Sequence, residues 1–140
     1  MVSLSVANTI ITGTVAKGRQ LGLKPLTVAI VDAGGWLIAF QRADGSPNLR
    51  PAIAIGKAAG AVGLGVSSRQ IGEMAVERSH FISAVAHVAS QGLVPVAGGV
   101  IILDQDGRVI GAVGVSGDTS DNDELCALAG IEAAKLRAQR

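Results

Sequence analysis

Lys57 is the side chain in this sequence best placed to do chemistry. It sits in Ala54-Ile55-Gly56-Lys57-Ala58-Ala59-Gly60, a stretch with no other charge and few tall neighbours. An ammonium desolvated among small residues shifts its pKa and needs an anionic partner. The densest source of carboxylates is the run Asp118, Asp121, Asp123 and Glu124. Asp123 or Glu124 is therefore the expected balancing charge. With either, Lys57 could work as an acid–base pair, and Arg42 could hold a substrate carboxylate. The plainer alternatives are a lysine whose stem covers apolar surface while its head reaches water, and carboxylates that complement a helix start.

Gly98-Gly99 and Ser116-Gly117 could present backbone N–H groups to an anion, and the helix start that follows adds a positive dipole end. Ordinary turn chemistry accounts for the same residues. We expect the ammonium of Lys57 to face a pocket lined by Gly98, Gly99 and Ser116. His80 and His87 are the histidines of the chain; seven apart, they share a face if one helix runs between them. Glu77 and His80 have the Glu-x-x-His spacing of di-iron bundles, but such sites need a second motif and further carboxylates, so no metal centre is assigned. One His suffices as a proximal haem ligand, and His80 is the residue proposed for it. Cys126, among apolar neighbours, reads as a small buried hydrophobe.

The elements that must position these groups follow from periodicity and turn signals. Leu4, Ala7, Ile11 and Val15 recur at helical spacing, and Gly22 ends the run. Thr27–Val31 and Trp36–Phe40, joined by Asp32-Ala33-Gly34-Gly35, form a hairpin. Pro51 suits the first turn of a helix over 52–64. Gly56, Gly60 and Gly63 stripe that helix at up to ~1 kcal/mol each, so a strand, a neighbouring subunit or a ligand must approach it closely. Ser67 and Gln70 form a capping pattern opening a helical region that runs, with a break, to about Ser90. Val100–Leu103 and Val109–Val115 make a second hairpin around Asp106-Gly107. Ser120 is expected to cap the last helix, with Leu125, Leu128, Ala129, Ala133 and Leu136 as its buried stripe. Shifted by 72 positions, Val28, Asp32, Gly35, Ile38 and Gly45 coincide with Val100, Asp104, Gly107, Ile110 and Gly117, which reads as two similar hairpins in one antiparallel sheet covered by helices.

The 140 residues suit one domain, 1–140, able to bury a core without disulfides. Hydrophobic residues make up 49%, yet no apolar run reaches the ~20 residues of a membrane span. The surplus points to a homo-oligomer with the glycine-striped helix near the interface. A net charge of +1 and 2% aromatics argue against nucleic-acid binding. A single cysteine and the absence of a basic, apolar leader pattern at Met1–Leu4 lead us to expect a cytoplasmic protein.

Five segments, in order, resemble the haem-degrading family that includes GlcG-type and HbpS-type proteins and the C-terminal domain of some corrinoid adenosyltransferases. They are Val31-Asp32-Ala33-Gly34-Gly35, Arg42-Ala43-Asp44-Gly45-Ser46, Ala54-Ile55-Gly56-Lys57-Ala58, Val96-Ala97-Gly98-Gly99-Val100, and Gly111 to Gly117 with Asp123-Glu124. The resemblance implies an α+β, profilin-like fold: a central five-stranded antiparallel sheet with helices on both faces. It also implies homo-oligomers, and links to haem, corrinoid or iron binding. Members commonly carry His after the first hairpin glycines, where this chain has Trp36, so a coordinating role does not transfer to that position. The expected function is binding of haem, a corrinoid or a related small anionic ligand. The alternative is a cofactor-independent enzyme acting on an organic acid through Lys57, Arg42 and a carboxylate.

Overall fold

Two aspartates shape the two hairpins in the same way. In the computed structural model, which describes residues 1–139, Asp32 Oδ1 accepts hydrogen bonds from the Gly34 and Trp36 N–H groups, at 2.9 and 3.0 Å. Asp104 Oδ1 accepts from the Asp106 and Arg108 N–H groups, both at 2.9 Å. Gly35 and Gly107 donate back to the aspartate carbonyls in the left-handed conformation, φ 86° and 81°, which glycine adopts without steric cost. The 72-residue echo is therefore a repeated turn.

Among the described residues the chain forms helices α1 (Leu4–Gln20), α2 (Arg50–Leu64), α3 (Ser68–Glu77), α4 (Ser79–Val88) and α5 (Ser120–Ala133). The strands are β1 (Thr27–Asp32), β2 (Leu37–Arg42), β3 (Gly99–Leu103), β4 (Val109–Ser116) and β5 (Arg137–Ala138). The sheet order is β2-β1-β4-β3-β5, and every pairing is antiparallel. Successive side chains point to opposite faces. Val28, Ile30, Val100, Ile102, Val113 and Val115 form one core with Ile10 and Ile11 of α1 and Cys126, Ala127 and Ile131 of α5. Val31 and Ala112 look the other way, toward Ala58 of α2. The architecture is α+β with helices on both faces, and no helix is long and apolar enough to cross a membrane among the described residues.

Two of the three glycines in the α2 stripe are covered by the chain itself. A Cβ at Gly56 would lie 2.7 Å from Val94, and one at Gly60 2.8 Å from Leu93, so the extended segment 92–94 is the close neighbour. Gly63 has open space. Two local expectations are corrected. Thr119, not Ser120, caps α5, its hydroxyl accepting from the Asn122 N–H at 3.2 Å. The buried residues of α5 are Asp123, Cys126, Ala127, Gly130 and Ile131, whereas Leu125 is exposed and so is Ala133. The reason is close packing: Gly130 lies against Gly13 and Thr14 of α1, and only small residues permit that approach. The expected break in the helical region after Ser67 falls at Arg78, whose φ of −134° leaves the helix.

Candidate functional site

Lys57 is carried on α2 where the helix lies directly on the sheet: a Cβ at Gly99 would collide with the Lys57 carbonyl. The side chain runs to the end of the sheet and passes Gly98. There a Cβ would stand 2.7 Å from the ammonium nitrogen, at a φ of +128°. Beyond it lies Asp123 at the start of α5, on the opposite face. The Lys57 Nζ donates to the Val115 carbonyl at 2.9 Å and to Asp123 Oδ2 at 3.1 Å. Asp123 Oδ1 accepts the Asp118 N–H at 2.9 Å. The ion pair thus ties one helical layer to the other around the end of β3 and β4.

The side chains are 2% and 1% exposed. Burial pushes the Lys57 ammonium down from its ordinary pKa and the Asp123 carboxyl up, against their mutual attraction. Lys57 therefore meets Gly98, Gly99 and Asp123 as expected, but in a packed contact without solvent. Glu124 turns away: with Asp121 it pairs with Arg69 of α3.

A cation that sequence reasoning passed over does join this cluster. Arg50, at the start of α2, donates to the Ser116 hydroxyl at 3.0 Å, and its charge bears on both Lys57 and Asp123. Its place beside Pro47 and Pro51 reads as a chain break, so only Pro51 at a helix N1 position could have signalled it. Arg42 lies on the edge strand β2, and its guanidinium donates to the Ser46 carbonyl at 3.0 and 2.6 Å. Thr27, between Arg42 and Ser116 in the sheet register, shares a hydrogen bond with the Ser46 hydroxyl.

The backbone donors of the glycine turns serve the chain's own acceptors. Gly99 N–H goes to the Ser68 hydroxyl at 2.7 Å. The N–H groups after Gly117 go to carboxylates: Asp118 to Asp123, and Thr119 to Asp118. Asp118 also accepts from the Asn122 side chain and the Lys24 N–H, and these hydrogen bonds lower its pKa to about 2. The anions at this helix start are thus Asp118 and Asp123 themselves.

His80 and His87 both lie on α4 and are exposed. At about 100° per residue they stand within roughly 20° of each other, and Ser83 and Ala84 fall between them. All four residues are exposed. Ile82 is buried on the other side of the helix. Cys126 is buried, and burial pushes its thiol up to about 11.

The chain is thus a five-stranded antiparallel sheet layered by helices, with the two layers clamped by a buried Lys–Asp pair at a glycine-lined end. Residues 2–132 match the model of the HbpS-like haem degrading proteins, and the chain belongs to that family. It is 30% identical over 126 residues, 90% of this chain and 87% of the relative, to an uncharacterized 15.0 kDa protein in the dhaT-dhaS intergenic region of Citrobacter freundii. Its fold resembles the crystal structure of a PduOC:haem complex, with TM-score 0.87, 23% identity and 99% of each chain covered. It also resembles protein ORFY of Klebsiella pneumoniae, with TM-score 0.85, 25% identity, and 96% of this chain and 90% of that one covered.

Proposed function

We propose that this protein binds a tetrapyrrole, haem first and a corrinoid or related anionic macrocycle as the wider class, without catalysing its conversion. The observation that carries this is the outer face of α4. An iron-bound macrocycle needs an axial ligand, most often His, Cys, Tyr or Met. The chain has no tyrosine, and Cys126 is buried with its thiol held protonated at neutral pH. His80 and His87 stand on one exposed helix face, with the small side chains of Ser83 and Ala84 between them, so a flat ring can approach closely. Arg78, stacked 4.3 Å over the Phe81 ring, places a cation beside that face for a propionate. Family membership and the fold shared with a haem complex support the same reading.

The burial of the Lys57–Asp123 pair favours binding over acid–base chemistry, since neither group meets solvent. Hemin titration should give a saturable, equimolar Soret shift, and one of His80→Ala and His87→Ala should remove it. No shift in the native protein would contradict the reading and favour an enzyme acting on an organic acid.

We further propose that the protein works as a homo-oligomer. Trp36, Leu37 and Phe40 at the β2 edge and Val76 and Val88 on the outer helices leave large apolar side chains exposed. Light scattering should report a mass well above 14.0 kDa at micromolar concentration; a monomer would contradict this.

A further inference from the structure

Three buried hydroxyls and two guanidinium groups meet at the end of the sheet beneath the start of α2. Thr27 pairs with Arg42 of β2 on one side and with Ser116 of β4 on the other, so the three side chains form one cross-strand row. Directly opposed residues share a face. It is the α2 face, because Thr27 alternates in step with Val31, which packs on Ala58. Ser46 covers the row, its hydroxyl 3.0 Å from that of Thr27, and Arg50 reaches from α2 to the Ser116 hydroxyl. Thr27, Ser46 and Ser116 are all buried.

This cluster is rich in donors and short of acceptors. Ser116 Oγ accepts from Arg50, and a guanidinium offers no acceptor in return. The Ser116 O–H proton therefore has no acceptor among the described residues. Thr27 and Ser46 share one hydrogen bond, which uses one of their two O–H protons and leaves the other over. Buried donors are rarely left unpaired. Among the described residues no carboxylate pairs with Arg42 or Arg50. Asp123 does not serve, since its two oxygens take the Lys57 ammonium and the Asp118 N–H. Arg42, Arg50 and Lys57 against Asp123, three cations less one carboxylate, leave a formal charge of +2. The start of α2 adds to it, with no acid in its first turn and no side-chain cap.

We propose that this cluster binds a small dianionic oxyanion, a phosphate or a dicarboxylate, between Arg50 and Arg42, with the Ser116 hydroxyl donating to it. The excess charge matches a dianion, and each guanidinium keeps N–H donors free for one, since Arg42 spends two of its five on the Ser46 carbonyl and Arg50 one on Ser116. The site is independent of the tetrapyrrole reading, because it shares no residue with α4.

Inorganic phosphate and succinate are the probes, with acetate as the monoanion. They are titrated at mildly alkaline pH and constant ionic strength, so that general screening does not contribute. The backbone amide shifts of Thr27, Ser46, Arg50 and Ser116 locate the ligand. At least one dianion should saturate these shifts and bind at least tenfold more tightly than acetate. Whichever binds more tightly tells a phosphate group from a dicarboxylate as the class recognised. Arg50→Gln, which keeps a donor for Ser116, should lower that affinity at least tenfold. Arg42→Gln, at an exposed side chain that leaves the fold intact, should lower it about fivefold. The proposal is overturned if neither dianion binds more tightly than acetate, if the shifts fall on surface lysines instead of these four amides, or if either folded Gln variant binds the dianion like the native protein.

Discussion

Lys57→Met is expected to cost about 3–5 kcal/mol of stability, the range found when one partner of a buried ion pair is removed. That is a large part of the 5–15 kcal/mol available to a domain of this kind, and the melting temperature should fall by roughly 10 °C or more. The methionine keeps the length and the apolar stem, so cavity formation contributes little. The loss comes from Asp123, left charged at 1% exposure, and from the Val115 carbonyl, which loses its donor. Because desolvation already outweighs attraction for both groups, removing both charges should cost much less than removing one. Lys57→Met with Asp123→Asn should recover at least half of the loss, since the carboxamide oxygen still accepts the Asp118 N–H. Chemical denaturation of the four proteins of this cycle is the check. A single substitution costing under about 1 kcal/mol would mean that the ammonium is solvated and the clamp does not exist.

Gly114→Ala is expected to be comparably severe, about 3 kcal/mol, at the upper end of what overpacking costs. A Cβ there would fall on the Ala54 carbonyl oxygen and stand 2.9 Å from the Ala58 nitrogen. Both are backbone atoms of α2, so no side chain can rotate away, and the whole helix must lift from the sheet. That lift would also disturb Lys57, which lies between those two residues on α2. Val113→Ala, which removes two methyl groups from the opposite, aliphatic face, is the comparison. Thermal melts should place Gly114→Ala at or below Val113→Ala; a neutral Gly114→Ala would show that α2 and β4 are not in contact.

The parts of this fold that were legible in the sequence are those where local chemistry decides. The two Asp-Gly turns specify their hairpins because the aspartate carboxylate and the glycine φ act within five residues. Ser67 caps α3 for the same reason. The Lys57–Asp123 pair was within reach too, because a lysine without tall neighbours must find its partner in another segment. What the sequence hid depends on distant packing. The short strand β5 follows a turn at Lys135, with φ of 58°, and exists only because the β3 edge is there to receive Ile102↔Ala138. The buried face of α5 is set by its close approach to α1, which admits Gly130 and Ala127 and leaves Leu125 outside. Arg50 acquires its role only when α2 docks and brings it to Ser116, 66 positions away.

The account rests on the outer face of α4 as the place where a macrocycle is held, and a hemin titration of the doubly substituted protein His80→Ala, His87→Ala tests it most directly. Both side chains are exposed, so the variant should fold like the native protein and show an unchanged circular dichroism melt. The account predicts that it gives no saturable Soret shift at hemin concentrations that saturate the native chain, and that added imidazole restores a low-spin spectrum. A saturable shift of native size in the double variant would contradict it and place the ligand elsewhere in the chain.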